Sequence, residues 1–252
     1  MAFRRRTTLL TAGAAGLLAF TLAGCGSSDA SDAPVEHKNF AFAGKALTIA
    51  ADQSTLVVTP ADVKDVEVDR QVDGWTVFGS GPDASWALDG RTLNLAVKCS
   101  GMIKNCGARH TVKVPRGVAV TVQDADGRVE ASGFDTPLKI VCNNGRVTVK
   151  DSSGPLDVTS DNGRVDGEDI RAKSVRAGSD SGRVALTFAV VPDSVVATSD
   201  DGRVDLTVPQ ATYKVAARSD DGRVDVGVDR SASSTHVLTA RSDDGRVTIR
   251  HS

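Results

Sequence analysis

Arginine and aspartate recur together in the second half of this 252-residue chain, and their spacing makes them the strongest candidates for chemistry. Seven arginines follow a glycine in the tetrapeptide Asx/Ser-Gly-Arg-Val, and carboxylates stand one or two positions before most of these glycines. Arginine recognises carboxylate or phosphate through paired hydrogen bonds, whereas clustered carboxylates bind cations or transfer protons. The residue types therefore allow a charged binding surface, a cation site or an acid–base site.

The elements that position these side chains follow from the same repeat. Its glycines (Gly127, Gly145, Gly163, Gly182, Gly202, Gly222 and Gly245) are 18, 18, 19, 20, 20 and 23 residues apart. The Asx/Ser-Gly step of each repeat is called its corner. Apolar or small residues alternate with polar ones on both sides of the corner, as in Val215 and Ala217 before Gly222 and Val224 and Val226 after it. Two short half-buried strands joined by a tight turn are predicted for each repeat. A repeat of about 20 residues indicates a solenoid.

We therefore expect an all-β, single-domain parallel β-helix whose rungs hold about 18–23 residues, with equivalent residues of successive turns stacked on one another. An antiparallel structure of repeated hairpins remains the alternative, because the Asx-Gly corner also resembles a hairpin turn. In the parallel arrangement, the arginines form one column with carboxylates alongside. This candidate binding edge comprises Arg128, Arg146, Arg164, Arg183, Arg203, Arg223, Arg246, Asp201, Asp221 and Asp244. The structural explanation of this edge is a ladder of ion pairs between arginines and carboxylates, which would fix the register of successive rungs.

The repeat argues against a catalytic or metal site. Catalysis needs a unique convergence of groups in a cleft, whereas these acids recur in every rung. The chain also lacks the paired glycines of calcium-binding coils, and its four histidines show no ligand spacing. No catalytic residue, metal ligand or cofactor is predicted.

The N-terminus has the features of an export signal. Arg4, Arg5 and Arg6 precede an uncharged apolar run from Leu9 to Leu22, and Leu-Ala-Gly-Cys follows at 22–25. This ending resembles a lipobox, so residues 1–24 are interpreted as a lipoprotein signal peptide, with Cys25 lipidated and 25–34 as a flexible tether. General and twin-arginine export both remain open. The expected location is the extracytoplasmic face of the bacterial cell membrane, with the lipid anchor as the membrane contact.

Charge and cysteine content narrow the class further. Without the three signal arginines, 27 basic residues face 32 acidic ones, a net charge of about −5, which argues against nucleic acid as a partner. Cys99 and Cys106 flank six residues, and exported proteins meet an oxidising environment, so a disulfide is predicted. Cys142 falls in the column of Ser160, Ser179 and later serines, where a small buried residue is expected.

Residues 35–252 are expected to form one domain, with irregular capping rungs over 35–116 and seven Gly-Arg-Val rungs over 117–252. Strands, Asp89-Gly-Arg-Thr-Leu-Asn-Leu, a cysteine pair, Thr111-Val-Lys-Val-Pro and serial Ser-Asp-x-Gly-x-Val rungs follow one another over residues 40–250. This order resembles the bacterial β-strand-repeat family labelled "putative adhesin", a domain of unknown function. The resemblance implies no catalytic residues.

The leading functional hypothesis is a lipid-anchored, non-enzymatic protein with a structural or adhesive role at the cell envelope, where it binds an envelope polymer or a protein. The alternative is a β-helix protein that binds or cleaves an envelope polysaccharide, since parallel coils also host such enzymes. Fold alone does not separate the two.

Overall fold

A computed structural model describes residues 30–252, so the predicted signal peptide and Cys25 lie outside the described residues. The described chain consists of 21 β-strands joined by turns and loops. It contains no helix with the length and apolar character needed to span a membrane.

The front strands are β1 (Val35–Phe40), β2 (Ala46–Ala51), β3 (Thr55–Ala61), β4 (Val66–Val77), β5 (Ser80–Asp89), β6 (Thr92–Ser100) and β7 (Ile103–Pro115). Shorter strands follow: β8 (Ala119–Ala125), β9 (Val129–Ser132), β10 (Leu138–Cys142), β11 (Arg146–Lys150), β12 (Leu156–Ser160), β13 (Arg164–Ile170), β14 (Ser174–Ser179), β15 (Val184–Phe188), β16 (Ser194–Ser199), β17 (Val204–Val208), β18 (Lys214–Ser219), β19 (Val224–Gly227), β20 (Val237–Ser242) and β21 (Val247–His251).

The strands form a parallel β-helix with two sheets. One sheet has the order β1-β4-β7-β3-β9-β11-β13-β15-β17-β21-β19, and the other β18-β20-β16-β14-β12-β10-β8-β2-β6-β5. Every described pairing of β8 to β21 within these sheets is parallel, and equivalent residues are in register: Val147 pairs with both Val129 and Val165. This confirms the predicted coil and excludes the hairpin alternative, in which neighbouring strands would run antiparallel.

Columns of apolar side chains fill the space between the sheets. The column after the corner consists of Val129, Val147, Val165, Val184, Val204 and Val247, each at most 2% exposed. The facing column consists of Val120, Leu138, Leu156, Val175, Val195 and Leu238, each at most 4% exposed. Because burying one such side chain contributes about 1.5–3 kcal/mol, every rung adds its own share of the core.

The order of the last two rungs differs from the sequence expectation. A rung is named here by its corner glycine and consists of the strands on either side of it. The Gly245 rung (β20 and β21) lies between the Gly202 rung and the Gly222 rung, because β20 pairs with both β16 and β18. The Gly222 rung therefore ends the coil, and successive turns do not lie directly over one another there. The longest spacing in the repeat, 23 residues, supplies the loop that steps back.

At the front, too, the order of the rungs in space differs from their order in the sequence. Strands β2 and β3 pair in parallel with β8 and β9 on one side and with β6 and β7 on the other. They form a complete rung that lacks the Gly-Arg-Val motif. Leu56 takes the valine position of this rung, since it pairs with Val129.

The front end is closed by strands that run antiparallel to their neighbours: β1 on β4, β4 on β7, and β5 on β6. Trp86 covers the end of the core, with its ring 6.4 Å from that of Phe40 in an edge-on arrangement. The Arg70 guanidinium lies 4.0 Å from the centre of the Trp86 ring, within cation–π range. The aromatic front half therefore forms a lid on the coil.

Candidate functional site

Each corner of the candidate edge is shaped by close stacking of glycines. A Cβ on Gly202 would lie 1.8 Å from the Gly182 carbonyl oxygen, and one on Gly245 would lie 1.6 Å from that of Gly202. No side chain fits at such distances. The glycines are thus required by the approach of adjacent rungs, whereas a positive φ, the reason suggested by the Asx-Gly sequence, occurs among these corners only at Gly145 within the described chain.

A serine ladder supports this stack, and sequence reasoning missed its function. Ser199 Oγ accepts a hydrogen bond from the Gly202 N–H (2.9 Å) and donates to the Gly182 carbonyl oxygen (2.7 Å). Ser179, Ser219 and Ser242 make the equivalent bonds. Each hydroxyl therefore closes its own corner and ties it to the adjacent rung. The recurrence of serine three residues before glycine was the available signal.

Cys142 occupies the same column. It is buried, and its Sγ lies 3.7 Å from the Gly127 carbonyl oxygen. Burial raises the pKa of the Cys142 thiol to about 11, with a smaller opposing effect of the Ser160 hydroxyl. At neutral pH the group is a thiol, the less reactive form.

The arginine column is present, with its side chains on the outside of the corner. All seven are exposed except Arg164, which is half-buried. Arg164 and Arg183 contact Asp166 and Asp205 at 2.6 Å, and Arg146 lies 3.9 Å from Asp166. Arg128, Arg203, Arg223 and Arg246 form no ion pair with any described residue. The ion pairing is therefore confined to the middle of the column.

The acidic residues before the glycines form separate columns. Asp201, Asp244 and Asp221 are exposed and occupy equivalent positions in three consecutive rungs. They form no ion pair with the arginine column among the described residues. The neighbouring acids Asp220 and Asp243 instead contact Arg218 (2.6 Å) and Arg241 (3.1 Å), which project from the other side of the corner. The expected ladder of ion pairs between rungs is therefore present only in the middle of the arginine column, where Arg146 and Arg183 contact acids of the adjacent rung. Asp201, Asp221 and Asp244 take no part in it.

The acidic column changes character towards the front. Asn162 Nδ2 donates to Asn144 Oδ1, and Asn144 Nδ2 donates to Asp126 Oδ1, both at 3.1 Å. Amides stack favourably because each carries a donor and an acceptor. The carboxylates of Asp201, Asp221 and Asp244 lack this option, because an ionised carboxylate only accepts hydrogen bonds.

A groove of about 710 Å³ opens at the front end of the arginine column. Arg128, Arg146 and Asp126 line it together with Gln53, Ser54 and Thr55 of the front rung. Ser54 holds the corner-glycine position there, since a Cβ on Gly127 would lie 2.1 Å from the Ser54 carbonyl oxygen. Thr55 consequently takes the arginine position. The short threonine leaves space beside two guanidiniums, which makes the groove suitable for an anionic group.

The structure joins Cys99 and Cys106 by a disulfide, which links β6 to β7. Cys106 also lines the groove. Within residues 30–252, no group of three or more histidine, cysteine or acidic side chains converges as a metal site would require.

One buried polar group is unrelated to the edge. His110 pairs with Leu56 at the front of the valine column and is 0% exposed, and neither ring nitrogen has a hydrogen-bond partner in the described chain. Burial lowers the pKa of His110 to about 4, with a smaller contribution from the positive charge of Arg70.

Comparison with known proteins gives two kinds of result. Solved structures to which the chain is similar include a "putative adhesin" from Parabacteroides merdae (12% identity, 85% of this chain and 95% of that chain covered, TM-score 0.46). Another is a "putative adhesin" from Bacteroides fragilis, with 14% identity, 87% of this chain and 97% of that chain covered, and a TM-score of 0.39. A third is a "putative cell adhesion protein" from Clostridium sporogenes, with 11% identity, 87% of this chain and 99% of that chain covered, and a TM-score of 0.36. No curated protein matches. The family model of Toastrack DUF4097 matches residues 118–252, more than half of the chain, and the protein belongs to that family.

Proposed function

We propose that this protein is a lipid-anchored, extracytoplasmic binding protein of the bacterial cell envelope, with an adhesive or structural role and no catalytic activity. The observation that carries the proposal is the exposed arginine column, in which four of seven guanidiniums have no acidic partner among the described residues. Guanidiniums left in water this way are available to an external anion. The N-terminal motif ending at Cys25 supports the anchor and the location.

The groove between Arg128 and Arg146 is the proposed contact point for the partner. The two exposed guanidiniums that line the groove match the carboxylate or phosphate groups of an envelope polymer. Further along the column the arginines repeat with each rung, at about 4.8 Å. A polymer with regularly spaced negative charges fits such a surface better than a small molecule does.

A non-catalytic role agrees with the chemistry of the groove. Hydrolysis of a glycosidic bond needs two carboxyl groups placed about 5–10 Å apart. The described residues that line the groove include one carboxylate, that of Asp126. The other acids of the corners repeat from rung to rung along the coil, so none of them stands out as a unique acid or base.

Charge reversal tests the binding face. We expect Arg128→Glu combined with Arg146→Glu to reduce binding to acidic glycans on an array at least tenfold. The matched control is Arg91→Glu combined with Arg176→Glu, which changes the net charge equally at exposed arginines away from the groove, and it should retain binding. An unchanged profile in the first variant would remove the groove as the contact point. Release of shortened glycans by the unaltered protein would contradict the non-catalytic role.

The anchor is tested separately. Cells expressing the full chain are fed a palmitate analogue that carries a clickable group, and the protein should become labelled and stay with the membrane fraction. The Cys25→Ser variant should lose both properties. Equal labelling of this variant would show that Cys25 is not the acylated residue.

A further inference from the structure

An apolar tip projects from the front of the molecule. It consists of the connection between β4 and β5 (Phe78 and Gly79), the connection between β6 and β7 (Gly101 and Met102), and the strand ends beside them. The two connections lie side by side, since a Cβ on Gly79 would be 2.5 Å from the Gly101 Cα atom. Segments 74–82 and 99–103 contain no charged residue.

Large apolar side chains are concentrated on this tip. Six are exposed among residues 30–252, and four of them are at the tip: Trp75 (53%), Phe78 (88%), Met102 (86%) and Ile103 (58%). Such clustering on a soluble surface marks a contact with another apolar phase. Tryptophan and phenylalanine on a projecting loop are the side chains that favour the boundary between lipid headgroups and acyl chains.

The tip is held rigidly. Its two layers continue the two sheets, with Val77 paired to Ile103 in one and Ser80 to Ser100 in the other. The disulfide between Cys99 and Cys106 joins the layers within a few residues of the end. The apolar side chains are therefore presented together, without the entropy loss that ordering a flexible loop on contact would require.

Residues 30–34 lie against β4, one of the strands that lead to the tip. Gln71 Nε2 donates to the carbonyl oxygens of Ser31 (2.6 Å) and Ala33 (3.0 Å), and Ala30 is buried. Residues 30–34, which the sequence assigns to a tether, are thus held against β4. Cys25 is five residues before Ala30 in the sequence, and five residues span at most about 18 Å. From Gln71, β4 extends six residues to Val77, about 20 Å. A link of five residues can therefore cover most of the distance from Gln71 to the tip.

We propose that the tip inserts into the outer leaflet of the membrane that holds the lipid anchor, and that this second contact fixes the orientation of the coil. One acyl-type anchor leaves a domain free to tumble, whereas an anchor plus an apolar wedge holds it. The register places one charged residue, Lys104, opposite Thr76 near the base of the tip, and the exposed side chains that would enter the lipid are apolar. Insertion driven by these apolar side chains does not require anionic lipid. The proposal uses the anchor of the proposed function only to bring the tip to the bilayer.

The test uses chain 25–252, which contains every described strand and pairing, with a maleimide lipid coupled to Cys25. Cys142 does not compete for the reagent, because it is buried as a thiol. The anchored protein is placed on phosphatidylcholine vesicles with or without brominated acyl chains, and tryptophan emission is measured. The Trp75→Phe variant reports Trp86 alone, so the difference between the two proteins isolates Trp75.

Bromine should quench Trp75 emission at least twofold, with no change in 0.5 M salt. Phe78→Asp combined with Met102→Asp should abolish the quenching, whereas Val224→Asp, at a less exposed apolar site (40%) at the other end of the coil, should not. Circular dichroism verifies that each variant is folded. Unquenched Trp75 in the folded, anchored protein would overturn the proposal.

A second copy of the chain is the competing occupant. If sedimentation equilibrium of the unanchored protein reveals a dimer that Phe78→Asp with Met102→Asp dissociates, the tip is a protein interface and the membrane proposal is wrong. Since the lipid is attached chemically, absence of acylation in cells would contradict the proposed function and leave this test unaffected.

Discussion

At its front end the coil is covered by strands of opposite direction and by the Trp86 ring, whereas at its rear end it stops at an open rung. In the valine column, Val247 is fully buried, and its neighbour in the terminal Gly222 rung, Val224, is 40% exposed. The inward positions of β18 are likewise only half-buried. The same inward-facing residue type therefore contributes less at the rear, because one side of it faces water instead of another rung.

The comparison also shows what a repeat cannot do alone. A parallel coil leaves a row of unpaired backbone groups at each end. The front half meets this need with sequence that departs from the repeat, as terminal units of solenoids commonly do. The rear rung keeps the repeat sequence, and its strands β19 and β18 end the two sheets there, as the antiparallel β1 and β5 do at the front.

Removing the lid should have the largest effect. We expect Trp86→Ala to lower the free energy of unfolding by about 3 kcal/mol, because the ring contacts Phe40 and Arg70 over the core. The matched change at the rear, Val226→Ala, should cost about 1 kcal/mol or less. Denaturant unfolding followed by circular dichroism measures both. Equal losses would show that the two ends are closed equally well.

The front should also be sensitive to acid through His110. Its folded-state pKa, about 4, lies below its ordinary value of 6.5, so the unfolded chain binds more protons between these values. The contribution of neutral His110 is complete above about pH 6.5 and is lost as the pH falls towards 4, by about 3 kcal/mol in total.

His110→Val places the residue type of its column at this position and provides the control. The variant should lose this part of the pH dependence and gain stability at pH 7, because no ring nitrogen is then left without a partner. Unfolding free energies at pH 4, 5, 6 and 7 test this. A slope that persists unchanged in the variant would assign the acid sensitivity to other groups.

The serine ladder should matter less at the rear than in the middle. Ser199→Ala leaves the Gly202 N–H and the Gly182 carbonyl without their buried partner, at a cost of about 2 kcal/mol. Ser219→Ala removes the same bonds in the terminal rung, where water can replace them, so about 1 kcal/mol is expected. Thermal unfolding of the pair is the measurement. A larger loss for Ser219→Ala would contradict an open rear rung.

The smallest effect is expected at Val224 in the rear rung, and Val204 in the Gly202 rung is its comparison. Val204→Ala should cost about 2 kcal/mol at a fully buried site, and Val224→Ala less than about 0.5 kcal/mol. Hydrogen exchange adds an independent measurement: amides of β19 should exchange well before those of β17. Matching exchange rates in dilute solution would mean that the rear rung is covered, for example by another copy.

Much of the coil is predictable from the sequence because the residues of each corner have local structural roles that repeat in every rung. Glycine allows adjacent rungs to touch, serine three residues earlier completes their hydrogen bonds, and valine begins the next inward column. The rung formed by β2 and β3 could not be recognised in this way, since Ser54 and Thr55 occupy the positions that glycine and arginine occupy in the other rungs. Only its pairing with Gly127 and Val129 identifies it.

The sequence predicted which residues form the charged edge, but not which of them form ion pairs with one another. Sequence placed arginines and acids in columns, but it could not tell which acid each arginine meets. That choice depends on side-chain direction at the corner: Asp220 and Asp243 project towards Arg218 and Arg241, away from the arginine column. The groove at Arg128 is also lined by Gln53, Ser54 and Thr55, which lie in the other half of the chain. No local sequence pattern could therefore predict it.

By itself, the sequence determined the all-β coil, the register of its columns and the residues of its charged edge, because these follow from local periodicity and from the stacking of identical units. Only the tertiary structure decided the order of the rungs, the lid, the groove and the apolar tip. Rungs with the same Ser-Asp-Asp-Gly-Arg-Val corner can pair in any order, so the choice between orders rests on long-range packing and loop length, which no short motif encodes.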